Sequence, residues 1–310
     1  SHRRAILRVA LPLARPALAA GVAVAMMEAL ADFGAVNLLG YRAMTDAIYR
    51  VWYGTYDQAA ALQLATVLVT LTATLVVLER LLRGRARYVG ALARGEAVEP
   101  RRLRGVGAMA APVPPALLLV VVLVAPLVQL VVWSVESLGE GAGAADLAEA
   151  AVLTLLLAAI AALVTVAGAT LIVYARRRSP SPATRLAGRL GLVGYAVPGT
   201  VVAVAVFVPL SWFDHRLNDV AETLLGVDIG LLITGSVLGL VAAYVVRFQA
   251  LALVSIGTRM GRVDSSIDDA ARSLGAGPGR LLSDIHLPLL WPGIATAALL
   301  VFVEVMKELP

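Results

Sequence analysis

Residues 150–175, AAVLTLLLAAIAALVTVAGATLIVYA, run for 26 positions without a charge and stop on Arg176-Arg177-Arg178. As a helix rising about 1.5 Å per residue, such a run is longer than the ~30 Å of hydrocarbon in a bilayer. Its uniform apolarity has no strand-like alternation and no polar helix face. The pattern predicts a membrane-spanning helix with a basic collar at one end. Two further uncharged runs, 113–135 and 190–213, have the same character, while 61–78 and 229–246 are shorter but of the same kind. Residues 17–38 are interrupted by Glu28 and Asp32, and the block from Leu287 onward is uncharged until Glu304. Seven spans are expected, at about 17–38, 61–82, 113–135, 150–175, 190–213, 229–257 and 289–310.

Composition agrees with that patterning. The chain has 310 residues, 60% hydrophobic and 15% charged, against about a quarter charged in soluble domains. Its mean hydropathy is +0.85. The net charge of +5 could suggest a nucleic-acid partner, but the distribution of Lys and Arg excludes it. With the N-terminus in the cytoplasm, the inward segments 1–15, 79–112, 176–189 and 259–286 hold 21 of the 26 basic residues, and the outward segments hold 3. That asymmetry is the positive-inside signature, so the basic excess is expected to report topology. With no Cys there is neither disulfide nor thiolate chemistry. His2, His215 and His286 lack metal-ligand spacing, so no metal site is expected. No phosphate-binding G-x4-G-K-[ST] loop occurs, since Lys307 is the only lysine. No catalytic residue and no cofactor are expected in this chain, and any ATP chemistry would fall to a partner.

One internal repeat stands out, at an offset of 276 residues. Val9-x-Leu11-Pro12-Leu13-x-x-Pro16 falls on Ile285-x-Leu287-Pro288-Leu289-x-x-Pro292, Glu28 on Glu304 and Asp32 on Glu308. The repeat predicts a slice of a two-half protein of twelve spans. Residues 1–82 are then the end of the first transmembrane half, 83–112 an Arg-rich cytoplasmic linker, and 113–310 the second half. Both copies run inward to outward, which disfavours the inverted repeats of secondary transporters.

The loop 259–292 is not built as a spacer. Ser265 or Ser266 can cap a short helix whose first turn carries Asp268 and Asp269, the charge favoured by the helix dipole. Small Ala270 and Ala271 follow, and Gly275 to Gly279 with Pro278 must end the helix. A second short helix, 280–285, is expected before Pro288 opens the next span. Glu28, Asp32, Glu304 and Glu308 lie inside expected spans, where ionisable groups mark either a polar path or gate, or a buried network holding the bundle. Arg247 is expected to snorkel to the cytoplasmic end of its span. The outward stretch 41–57 is rich in aromatic residues with two arginines. It reads as an interfacial helix, as a docking face made by Tyr49, Arg50, Trp52 and Tyr53, or as both.

Asp269-Ala270-Ala271-x3-Gly275-x9-Ile285-x-Leu287-Pro288 resembles the EAA motif of ABC importer permeases, with Asp in place of the usual Glu. Leu11 and Pro12 resemble the tail of a first copy. Met27-Glu28 to Gly34, Ala47 to Gly54, Gly194-Tyr195-Ala196-Val197-Pro198-Gly199 and Glu304 to Pro310 are similar to the fused-half ferric-iron permeases. The resemblance implies an all-α type I ABC importer transmembrane fold in the bacterial inner membrane. It implies a coupling role for Asp268 to Pro288 against a cytoplasmic ABC ATPase homodimer, and Fe(III) delivered by a periplasmic binding protein. Related permeases for thiamine, 2-aminoethylphosphonate, sulfate or molybdate share the architecture.

Overall fold

A computed structural model describes residues 8, 11–83, 105–139 and 143–308, and within them every regular element is helical. Residues 84–104 of the expected linker, Val9 of the first repeat copy and Pro310 lie outside the described residues. In chain order the α-helices are α1 Leu11–Ala31, α2 Gly34–Leu38, α3 Met44–Gly54, α4 Gln58–Arg83, α5 Val106–Ala110, α6 Val113–Leu119 and α7 Ala125–Gly139. They continue with α8 Ala144–Arg178, α9 Pro182–Leu190, α10 Gly199–Leu225, α11 Val237–Met260, α12 Ser265–Ser273, α13 Pro278–Arg280 and α14 Leu287–Met306. Among the described residues six segments are long and apolar enough to cross a membrane: Gln58–Glu79, Val106–Ser137, Ala145–Arg178, Gly199–Leu225, Val237–Met260 and Pro278–Met306. The chain is therefore an all-helical, multi-pass membrane protein.

The expected span 17–38 is not one rod through to Leu38. α1 stops at Ala31, and the Asp32 backbone carbonyl accepts from Thr45 Oγ1 at 2.7 Å instead of continuing the helical ladder. The expected span 190–213 is also shifted. Helix α10 starts only at Gly199 and runs on to Leu225. The preceding residues form a 3-10 turn, Gly194–Ala196, pressed against α11, where a Cβ on Gly194 would sit 1.8 Å from the Val246 carbonyl oxygen. Val197 is extended, as the residue before a proline prefers, and Pro198 caps α10 from an extended conformation.

The chain forms two compact units, Arg85–Leu153 and the remainder. In the first, α6, a π-helical turn Val120–Val124 and α7 make one continuous rod whose described residues are exposed all round. A helix apolar on every side in this way suits lipid or other membrane helices. In the second unit, α8 from Thr154 onward, α11 and α14 share one core. Ala158, Ala161, Ala162 and Ala169 recur at helical spacing on α8, facing Phe248, Ala252 and Ile256 of α11 and Ala297 and Val301 of α14. Small residues let membrane helices pack closely, where lipid gives no hydrophobic drive for association. A second cluster joins α3, α4 and α10 through Ile48, Trp52, Ala65, Leu68 and Val204.

Gly194→Ala should lower stability by about 1–3 kcal/mol, because backbone and not a pliable side chain occupies the space a Cβ needs. Gly21→Ala, where nothing lies within 4 Å, serves as the control. Thermal midpoints of the two purified variants in detergent check this, and equal midpoints would refute the close approach.

Candidate functional site

Helix α12 begins one residue earlier than the sequence suggests. Asp264, not Ser265 or Ser266, is the cap, its Oδ1 accepting from the Ser266 backbone N–H at 2.9 Å. Asp264 lies in the extended conformation a cap requires, while the serines are already helical. The Ser266 hydrogen bonds, backbone first, hold the Asp264 carboxyl below its ordinary value.

The two following acids part company. Asp269, the motif position, is exposed and paired with Arg272 at 2.9 Å. Asp268 is 4% exposed and points back at the membrane bundle. Its Oδ2 accepts from Arg177 Nε of α8 at 2.7 Å. Its Oδ1 lies 3.2 Å from His286 Nε2, close enough for an ion pair though off hydrogen-bond alignment. His286 is fully buried, edge-on to the Tyr174 ring with centroids 5.5 Å apart. The Tyr174 hydroxyl donates to the Pro278 carbonyl at 2.6 Å. Tyr174 and Arg177, three apart on α8, thus hold both short helices of the loop. Neither they nor His286 stood out in the sequence, and the available signal was only a tyrosine and an arginine at helical spacing before the basic collar.

Ala271 is buried with Tyr174 and Leu281, Ile285 packs against that cluster, and Ala270 is exposed. The helix ends at Leu274, which is 88% exposed, and Gly275 at φ +81 reverses the chain. Ala276 N–H then bonds back to the Ala271 carbonyl at 3.0 Å. The expected second helix and the following span are in fact one rod. α13 passes into a π-helical turn, Leu281–His286, and on into α14, with Leu287 and Pro288 exposed at its start. Leu11 opens α1 and is exposed, with Pro12 beside it in the first turn.

The intramembrane acids lie around one cavity. Glu28, Asp32, Arg247, Lys307 and Glu308 line a space of about 290 Å³, while Glu304 pairs with Lys307 at 2.9 Å. Glu28 Oε1 accepts from the Tyr195 hydroxyl at 3.0 Å. Arg247 does not snorkel as expected. Its side chain is only 17% exposed, with Nε 2.8 Å from Glu308 Oε2 and Nη1 donating to the Val197 carbonyl at 3.3 Å. A buried partner is available 61 positions away in the chain, so the guanidinium has no need to reach water. Gly199 makes the room: a Cβ there would stand 2.4 Å from Glu308 Oε1 and 2.7 Å from Arg247 Nη1. Among the described residues no group of three or more His, Asp or Glu side chains is arranged to hold a metal ion.

On α3, Trp52 packs edge-on against Phe207 at 5.4 Å and belongs to the core. Tyr49, Arg50 and Tyr53 remain on the surface, and Arg50 pairs with buried Asp46. The Arg50 hydrogen bond holds the Asp46 carboxyl below its ordinary value.

A multi-pass helical bundle thus encloses a polar cavity and carries a two-helix projection tied to its end. Residues 168–309 match the family described as binding-protein-dependent transport system inner membrane component. The chain is similar to "Fe(3+)-transport system permease protein FbpB 2" of Haemophilus influenzae, 25% identical over 96% of this chain and 56% of that protein. It is also similar to "Putative ABC transporter permease protein ORF1" of Streptomyces antibioticus, 34% identical over 52% of this chain and 63% of that protein. The chain thus spans little more than half the length of the first of these relatives. No solved structure matches it.

Arg177→Ala should leave Asp268 buried without its main partner, at a cost of about 3–5 kcal/mol. Hydrogen exchange in 265–286 is expected to accelerate in this variant, while 237–256 of α11 keeps its protection. Unchanged exchange in the loop would show that Arg177 does not hold it.

Proposed function

We propose that the chain is the membrane-spanning part of an ATP-driven importer permease, working by alternating access coupled to a separate ATPase through 259–292. The observation that carries this reading is the loop's construction. An exposed tip, Asp269, Ala270, Leu274 and Gly275, sits on a base bonded to α8 through Asp268 and continuous with α14. Leu274 is a large apolar side chain held in water by a compact support, which suits insertion into a partner. A push on the tip reaches two membrane helices at once, and both pack on α11. The family match over 168–309 supports the same assignment.

In this reading the ATPase is a cytoplasmic homodimer that binds ATP, and this chain carries no cofactor and performs no hydrolysis. A periplasmic binding protein delivers the cargo and meets the outward face around Tyr49, Arg50 and Tyr53. The protein lies in the bacterial inner membrane with the N-terminal end of this chain inside. The cargo is Fe(III), a proposal that draws on the printed names of the Haemophilus influenzae relatives. Glu28, Asp32, Glu304 and Glu308 form the polar path or its gate.

Gly275→Asp in the full-length protein tests the coupling. A Cβ there meets nothing within 4 Å, so the strain of placing Asp at φ +81 falls on the turn at the tip and not on the packing of the bundle. Membrane insertion is expected to be normal, co-purification of the ATPase lost, and uptake of radiolabelled Fe(III) reduced roughly ten-fold or more, the loss of about 1.4 kcal/mol of coupling. A wild-type protein that brings down no ATPase would refute the coupling, and uptake of thiamine or molybdate in preference to iron would refute the cargo.

A further inference from the structure

Three consecutive arginines close α8, and of these Arg177 is ion-paired with Asp268. Arg176, Arg177 and Arg185 line a cavity of about 390 Å³ whose other walls are Val173, Pro180 and the end of α11 at Gly257, Met260 and Gly261. None of the lining residues is acidic. Arg177 spends its Nε on Asp268, yet its Nη2 is buried with no hydrogen-bond partner. A buried cationic N–H without an acceptor is costly, and an acceptor arriving in the cavity would relieve it. Arg176 is held in place by α9: it folds across Gly188, where a Cβ would lie 2.8 Å from its Nη1 and 2.9 Å from its Cδ. Arg185 leans on the Ser181 carbonyl through Nε at 3.4 Å, which leaves its terminal nitrogens free for another acceptor.

The cavity also sits at a defined depth. The apolar segment Ala145–Arg178 ends at these arginines, which places them where hydrocarbon gives way to headgroups. Helix α9 is amphipathic, capped by Ser181, and exposes Leu186 and Leu190 beside Arg185 and Arg189. Such a helix lies in the interface with leucines toward acyl chains and arginines toward headgroups. Guanidinium groups bind phosphate through paired N–H donors, and here three of them surround a space free of carboxylates.

We propose that this cavity binds the phosphate group of an anionic phospholipid, gripped by Arg176 and Arg185 with Arg177 Nη2 donating. Arg177 would then hold a lipid phosphate and Asp268 together, so the lipid would brace the base of the 259–292 loop. The site stands independently of the transport reading.

Native mass spectrometry of the full-length protein, released from bilayers mixing phosphatidylglycerol with phosphatidylcholine, tests this. The wild type is expected to retain phosphatidylglycerol over phosphatidylcholine by roughly ten-fold or more. The double variant Arg176→Gln/Arg185→Gln should lose that preference. Arg176→Lys/Arg185→Lys should keep most of it, and serves if the glutamine pair does not fold. Arg189→Gln, on the same helix but outside the cavity, should leave it unchanged. Equal retention by wild type and glutamine variant, or an equal loss in Arg189→Gln, would overturn the site. Displacement of phosphatidylglycerol by excess inorganic phosphate would overturn the lipid as its source.

Discussion

Arg247 and Glu308 meet at 2.8 Å inside the helical bundle, and much of the local architecture is arranged so that they can. A charge left unpaired at that depth would be expensive, whereas a well-made pair is close to neutral against an apolar replacement. The pair therefore contributes little net stability and a great deal of specificity, since only one register of α11 against the end of α14 brings the two groups together. The break before α10 follows from the same demand. Gly199 leaves the space the pair occupies, Val197 turns its carbonyl to Arg247, and Gly194 lets the turn lie on α11. Glu28 closes the arrangement from α1 through the Tyr195 hydroxyl. The 290 Å³ cavity is what remains among these groups, lined by three acids and two bases.

The second buried charge pair, Arg177 with Asp268, applies the same rule at the end of the bundle. Here it joins a surface projection to a membrane helix, and His286 and Tyr174 extend it to the second arm of the loop. A loop held only by its two chain ends would absorb a push by bending. One held by a buried ion pair, a tyrosine–carbonyl bond and a continuous helix passes displacement on to α8 and α14. The exposed tip and the buried base therefore divide the work between adjacent residues: Asp269 faces water and Asp268 faces the bundle.

That division shows what the sequence could and could not disclose. Apolar block lengths made the membrane helices legible, because span length is a property of the local chain. The loop was legible through its spacing, but Asp268 and Asp269 are adjacent and equally acidic. Only the position of Arg177, 91 residues away, decides which of them is buried. Arg247 was misjudged for the same reason, its partner lying at the far end of α14. The shifted start of α10 depends on Gly194 meeting the Val246 carbonyl, a contact that leaves no mark in hydropathy. Asp264 displaced the expected serine cap because cap choice depends on where the chain leaves Gly261.

The prolines show local chemistry and the repeat agreeing. A proline inside a helix removes one N–H and presses on the carbonyl four residues earlier. Pro288 follows the π-helical turn Leu281–His286, so the residue it would press upon, Asp284, already sits in a widened turn. Pro126 follows Val120–Val124 in the same way, with Val122 as the relieved residue. Arg8, four before Pro12, is likewise π-helical, and the offset of 276 places it on Asp284. Pro209 and Pro292 lie in ordinary α-helix, and nothing in their surroundings accounts for the difference. At 278–306 the π-helical turn lets the helix run unbroken through a proline, and that continuity makes the second arm of the loop and its membrane helix a single rod.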